Sequence, residues 1–279
     1  EQITLGNGSN DILDLLAQVF LNPQASAIYS QHGFVVYPLA VKATGAQAIV
    51  TPAKDWGHDL PAMAAAVKDN TRLVFIANPN NPTGTWVNQA AVKNLLDAVP
   101  EDVVVVLDEA YCEYVGDSAY PNSIELLNSY SNLVVTRTFS KAYGLAGLRV
   151  GYSISNPQIA DLLNRARGPF NVNSMALAAA IAVLADDDYL AKAIAVNNLG
   201  LKQLADGFRR LGINFIPSAG NFISFDAGSG APTLYQNLLQ AGVIVRPIGV
   251  YDMPSYLRVS VGLANENEKF LTALEQLIT

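Results

Sequence analysis

Through the first half of the chain, apolar runs of strand length alternate with segments of helical periodicity. The runs at 47–50, 73–77, 103–107, 133–136 and 148–153 read as strands. They are continuously apolar rather than alternating, the pattern of strands covered on both faces. Apolar residues at three- and four-residue spacing predict helices over 10–20, 60–67, 89–98 and 157–165. In the first of these, Ile12, Leu13, Leu15, Leu16, Val19 and Phe20 form one apolar side. Strands alternating with helices predict an α/β fold, a mostly parallel sheet flanked by helices.

Beyond about Gly168 the pattern changes. A helical stretch over 174–211, interrupted near Asp186, Asp187 and Asp188, leads into short strands at 214–216 and 222–225. A helix at 232–240, strands at 243–246 and 256–261 and a closing helix at 265–277 follow. The expected organisation is a large α/β domain over 1–175 and a smaller C-terminal α+β domain over 176–279.

Composition narrows the function classes. The chain has 279 residues, with 17 Lys+Arg against 24 Asp+Glu and a net charge of −7, which argues against a broad nucleic-acid-binding surface. Only 15% of residues are charged and 51% are apolar, so a packed core is expected rather than disorder. No apolar run is long enough to span a bilayer, so no membrane partner is expected. A single cysteine, Cys112, excludes an internal disulfide framework, and with only His32 and His58 no metal centre is expected. Glu1 opens no basic-then-apolar leader, and a cytoplasmic protein is the expectation.

Ligands of open α/β sheets bind beyond the carboxyl ends of the strands. The strand at 73–77 runs into Asn78-Pro79-Asn80-Asn81-Pro82-Thr83-Gly84. The strand at 103–107 runs into Asp108-Glu109-Ala110-Tyr111, and that at 133–136 into Arg137-Thr138-Phe139-Ser140-Lys141. One sheet edge thus collects an amide, a carboxylate, a phenol, hydroxyls and an amine. Taken alone, Lys141 reads as a surface lysine. Burial or a neighbouring cation, with Arg137 and Arg149 the nearest in sequence, would lower its pKa and make it a nucleophile toward an aldehyde.

The run Ser140-Lys141-Ala142-Tyr143-Gly144-Leu145-Ala146-Gly147-Leu148-Arg149 resembles the cofactor-lysine motif of fold-type I pyridoxal-phosphate aminotransferases. Asn81-Pro82-Thr83-Gly84 and Asp108-Glu109-Ala110-Tyr111 precede it in the order that family uses. The chain is most similar to the histidinol-phosphate aminotransferase branch. Gly6-Asn7-Gly8-Ser9-Asn10, Pro169-Phe170-Asn171-Val172-Asn173 and Leu257-Arg258-Val259-Ser260-Val261-Gly262 extend the likeness along the whole length. Members of that branch carry an N-terminal arm before the Gly-Asn-Gly segment, so this chain is expected to be an N-terminally shortened form.

The resemblance implies pyridoxal 5'-phosphate as cofactor and a role for each motif residue. Lys141 would hold the cofactor's aldehyde and then move the proton between the substrate's Cα and the cofactor. Asp108 would pair with the ring nitrogen, and Asn81 and Tyr111 with the ring's phenolate oxygen. Gly8, Ser9 and Asn10, at an expected helix start, would hold the phosphate with Ser140, Arg149 and, less centrally, Thr138. Phe34 falls where the family stacks an aromatic on the ring. Arg258 would grip an anionic substrate group, with Arg246 as a second candidate. Asn173 is a further position for the substrate side, with no assigned role. Read without the resemblance, Asp108 is a strand-end cap, Asn81 a turn residue, Phe34 a core residue, Gly8-Ser9-Asn10 an ordinary N-cap and the arginines surface ion-pair partners. His58 is expected to cap a helix or lie at the surface, and Cys112 to be a small buried hydrophobe.

The implied activity is amino transfer from histidinol phosphate to 2-oxoglutarate, with a small-molecule amino donor, a 2-oxo acid and a homodimer as partners. Rivals with the same residues are an aromatic amino acid aminotransferase and a phosphothreonine decarboxylase. A catalytically impaired cofactor-binding fragment is the reading from another class.

Overall fold

The computed structural model describes residues 1–278. Seven strands form the larger sheet: β1 (Ile3–Gly6), β2 (Ser26–Ser30), β3 (Gln47–Thr51), β4 (Thr71–Ala77), β5 (Val104–Asp108), β6 (Leu133–Thr138) and β7 (Gly151–Ser155). Their spatial order is β1-β7-β6-β5-β4-β2-β3. The pairs from β3 to β6 are parallel, and only β7 runs against its neighbours.

The period-two alternation of strands distributes the apolar runs to two cores. Leu73, Phe75, Val104, Val106 and Val134 face one side, under α1 (Ser9–Phe20), α2 (Val36–Ala43) and the helix Pro157–Ala166. Val74, Ile76, Val105, Leu107 and Val135 face the other, under the helices Leu60–Ala65 and Gln89–Ala98. Burial on both faces explains the continuous apolar reading of β4, β5 and β6. The edge strand β3 departs from it, because Gln47, Ala48 and Val50 are exposed.

Three elements carry no apolar run of the expected kind. β1 is a short outer strand. β2 is wholly buried yet begins and ends in serine; Ser26 Oγ finds Thr71 Oγ1 at 3.0 Å, which satisfies its hydroxyl in the core. α2 has Val35 at its cap position and no side-chain cap, so nothing in the sequence announces it. The strand expected at 148–153 begins instead at Gly151, because a tight turn at Ala146–Leu148 and a left-handed Arg149 (φ 60°) precede it.

The C-terminal part forms a four-stranded antiparallel sheet: β8 (Phe215–Ile216), β9 (Phe222–Asp226), β10 (Arg246–Pro247) and β11 (Tyr256–Ser260), in the order β8-β9-β11-β10. The strand expected at 243–246 is thus shifted to Arg246–Pro247. Helices Asp187–Arg210, Ala231–Gln240 and Ala264–Ile278 pack on this sheet over Phe208, Phe225, Leu257, Val259 and Phe270. The long helical stretch breaks where Asp186 caps the helix Asp187–Arg210, accepting the Tyr189 amide at 3.0 Å. Among the described residues, no helix is long and apolar enough to cross a membrane.

Candidate active site

A cavity of about 350 Å³ lies where the carboxyl ends of β4, β5 and β6 meet the smaller sheet. That size falls within the roughly 300–1,000 Å³ of small-molecule sites. Every candidate residue given a role from the sequence lines it except Gly8, which lies directly behind Arg149; Asn173, named for the substrate side without a role, does not.

Asp108 ends β5, and register explains its setting. Thr136 stands beside it on β6, and both side chains point to the face that carries α2. Thr136 Oγ1 donates to Asp108 Oδ1 and the Tyr37 hydroxyl to Oδ2, each at 3.0 Å. Tyr37 is itself fully buried and stacked on Phe75, centroids 4.8 Å apart. Burial raises the Asp108 pKa, although Thr136, Tyr37 and Lys141 oppose it. Among the described residues, no cation comes within ion-pair distance of this carboxylate. A buried carboxylate with two neutral donors and no cation is a site for a positive group supplied by a ligand.

Lys141 reaches the same cavity from the loop after β6. Its Nζ lies 5.2 Å from the centroid of the Tyr111 ring and makes no ion pair among the described residues. Burial lowers its pKa, Arg258 and Arg149 push it further down, and Asp108 resists. The cation that acts most on the amine therefore comes from the smaller sheet. The expected neighbour Arg137 does not contribute, because period two turns it to the opposite face of the sheet. There it holds the buried Glu109 through Nε at 3.0 Å and Nη2 at 2.8 Å.

The opposite end of the cavity suits an anion. α1 begins at Ser9 with no side-chain cap, and Ser9 and Asn10 of its first turn line the cavity, which puts a helix N-terminus at that end. Gly8 turns the chain there at φ 79°, and a side chain at that position would collide with the Arg149 guanidinium. Gly151 is required for a second reason: a Cβ on β7 would strike the backbone of Gly8 and Ser9. Arg149 Nη1 donates to Ser140 Oγ at 3.3 Å and to the Ala146 carbonyl at 3.0 Å. A primary amine, an unpaired carboxylate and an anion cradle spaced around one cavity fit the aldehyde, ring nitrogen and phosphate of pyridoxal phosphate. Phe34 lines the same cavity and meets Tyr37 edge-on at 5.9 Å.

Arg258 enters from β11. Leu257 and Val259 face the smaller core, and alternation turns Arg258 toward the cavity. Its guanidinium lies over the Phe222 ring, 4.8 Å from the centroid, and Nη1 donates to Asn81 Oδ1. Its Nε is buried with no hydrogen-bond partner, which leaves a donor for an incoming group. Arg246 pairs with Arg258 in register on β10 and is exposed at the cavity mouth. Like charges on adjacent strands repel one another, a cost that an anion between them would relieve.

Three assignments change. His58 is buried and not a cap: its Nε2 lies 2.8 Å from the Ala77 carbonyl, burial pushes its pKa down to about 4, and Asp59 caps the helix instead. Asn173 caps the helix Ser174–Val183 and donates to the Leu148 carbonyl at 3.0 Å, with no place in the cavity lining. Cys112 is half-buried beside Glu113 rather than a buried hydrophobe, and burial holds its thiol well above the ordinary range. Two site residues escape sequence reasoning altogether. Tyr37 sits within the unannounced helix α2, and Tyr251 enters the cavity from a short turn at Gly249–Tyr251. No spacing links either to the strand-end clusters.

A family model described as aminotransferase class I and II matches residues 1–274. The chain is 58% identical over 277 residues to a protein from Pseudomonas fluorescens (strain Pf0-1) named histidinol-phosphate aminotransferase 2, covering 99% of this chain and 75% of that one. A histidinol-phosphate aminotransferase from Sinorhizobium meliloti, solved in complex with pyridoxal-5'-phosphate, superposes with a TM-score of 0.94 at 34% identity, over 99% of this chain and 76% of that one. An L-threonine-O-3-phosphate decarboxylase from Porphyromonas gingivalis superposes with a TM-score of 0.86 at 24% identity, over 99% of this chain and 83% of that one, a likeness of fold.

Proposed function

Because this chain belongs to the class I and II aminotransferase family, a family of pyridoxal-phosphate enzymes, we propose that it moves the amino group of histidinol phosphate to 2-oxoglutarate. One observation carries the reading: Lys141, the cation-free Asp108 and two arginines of the smaller sheet converge on a single cavity.

Bound pyridoxal phosphate supplies an electrophilic aldehyde and a ring that draws electrons from the substrate's Cα. The residues divide the remaining work. The α1 N-terminus, Ser140 and Arg149 hold the phosphate, with Gly8 shaping the approach and Thr138 beside it. Thr138 Oγ1 is also committed to the Ser140 amide, at 3.1 Å, which fixes the loop. Phe34 would lie against the ring. Asp108, held by Thr136 and Tyr37, would keep a proton on the ring nitrogen. Asn81 and Tyr111 would orient the ring from its oxygen side. Lys141 would hold the cofactor through its aldehyde. Its Nζ, once free, is placed to take the proton from the substrate's Cα and to return one. The lowered pKa makes the neutral amine accessible for the first of these steps.

Arg258 and Arg246 set the substrate class. Histidinol phosphate brings a phosphate and no carboxylate, whereas 2-oxoglutarate brings two carboxylates. We assign Arg258 to both partners and Arg246 to the outer anionic group, with the two lobes meeting near residue 175 and Arg258 on the smaller one. Assays with histidinol phosphate, phenylalanine and phosphothreonine as donors test this. Glutamate formed fastest from histidinol phosphate supports the proposal, and carbon dioxide released from phosphothreonine supports the decarboxylase instead. In Arg258→Gln, the KM for both partners should rise about 10–100-fold, as expected for the loss of one charged hydrogen-bonding group.

We propose a homodimer as the working form. The helix Ser174–Val183 is apolar on all sides, yet Met175 and Ile181 are 74% and 73% exposed, and neighbouring Phe170 is 95% exposed. Exposed apolar side chains of this kind fit a second copy of the chain. Sedimentation should give twice the chain mass, and Ile181→Glu should shift it to the monomer; a wild-type monomer at working concentration contradicts the pairing.

A further inference from the structure

His32 has no part in the chemistry above, yet it is buried at the seam between the two sheets. Its Nδ1 lies 2.8 Å from the carbonyl oxygen of Tyr251, an acceptor, so Nδ1 carries the proton and donates. Its own carbonyl accepts from Asn80 Nδ2 at 2.9 Å, one residue before Asn81. The imidazole packs against Trp56, centroids 5.4 Å apart, and Trp56 packs against Tyr256 at 5.1 Å. Next door, Gln31 Nε2 donates to Asp252 Oδ2 at 2.5 Å. A ladder of three rings and two hydrogen bonds thus crosses from the large sheet to the smaller one.

Both ends of the ladder touch the active site. Tyr251 lines the cavity, and Tyr256 stands two residues before Arg258 on β11. Trp56 occupies the tip of a two-stranded hairpin, Ala53–Lys54 with Gly57–His58, and both tip residues are left-handed: Asp55 at φ 49° and Trp56 at φ 63°. Such backbone persists in non-glycine residues only where the surroundings hold it, and here the indole contacts on both sides of the seam do so.

We propose that His32, backed by Trp56, is a positioning residue for the anion-binding wall. It fixes the Tyr251 loop and the Arg258 strand against the large sheet, so that the guanidinium is already in place when substrate arrives. Prepaid ordering of this kind appears in substrate affinity and leaves the proton transfer at Lys141 unchanged. The inference rests on the assignment of Arg258 to the substrate's anionic group.

The test uses the cofactor-loaded protein and glutarate, a dicarboxylate with no keto group to react. His32→Phe keeps a ring and removes the donor; His32→Asn places an amide nitrogen near the position of Nδ1. Calorimetry should show glutarate binding about tenfold weaker in His32→Phe, the size of one lost hydrogen bond, and largely restored in His32→Asn. The KM for 2-oxoglutarate should rise in parallel, while the rate at saturation and the cofactor's absorption stay as in the parent. Trp56→Ala, at the partly exposed hairpin tip, should weaken glutarate in the same direction. Unchanged binding in His32→Phe and Trp56→Ala overturns the proposal, as does a fall of affinity, saturated rate and absorption together. Undiminished glutarate binding in Arg258→Gln overturns the assignment of Arg258 and the proposal with it; impaired binding there, with His32→Phe unaffected, overturns the role of His32 alone.

Discussion

Lys141→Ala is expected to lower the transamination rate by more than about 10⁴-fold, the upper range for a lost acid–base group, with the lost covalent attachment adding to it. On the proposed mechanism the same amine holds the aldehyde and carries the proton, and among the described residues no second lysine lines the cavity. The cofactor itself should be retained, because the α1 N-terminus, Ser140 and Arg149 bind its far end independently of Lys141. An absorption spectrum of the loaded variant should therefore resemble that of the free aldehyde bound to protein, without the shift produced by attachment to lysine. A variant that turns over within about tenfold of the parent would remove Lys141 from the chemistry.

Asp108→Asn is expected to keep the cofactor attached to Lys141 and to slow Cα proton removal by roughly 10²–10⁴-fold. Breaking a buried charge pair costs roughly 3–5 kcal/mol, and each 1.4 kcal/mol is about tenfold in rate. The amide cannot hold a proton on the ring nitrogen, so the ring loses the positive charge that draws electrons from Cα. Of the two hydroxyls left behind, Thr136 and Tyr37, one would still donate to the asparagine oxygen and the other would turn to accept from the amide nitrogen, so folding should be little affected. Single-turnover kinetics with histidinol phosphate separates this step from binding. Near-parental rates would show that Asp108 is only a strand-end residue.

The parts of this architecture that were legible from the chain share one physical cause. β4, β5 and β6 are buried on both faces over 73–77, 104–107 and 133–135, so these stretches are apolar without interruption, and the polar cluster that ends or follows each marks the candidate site. Asn81, Asp108 and Lys141 are found that way. What escaped depends on three-dimensional register. Tyr37 supports Asp108 from 71 positions away, and nothing around it in sequence differs from a core helix. Arg137 lies four residues before Lys141 but on the other face, so of the two arginines near Lys141 in sequence only Arg149 acts on the amine, and more weakly than a distant one. Arg258 does that work from the far end of the chain. His32 and Trp56 act only because the smaller sheet places Tyr251 and Tyr256 beside them.

Borohydride reduction of the cofactor-loaded protein, followed by proteolysis and identification of the modified peptide, tests the central assignment most directly. The expected result is a pyridoxyl label on Lys141, in the segment Ser140-Lys141-Ala142-Tyr143-Gly144, and on no other lysine. A label on a different lysine, or a protein that reduces without retaining any, would contradict it.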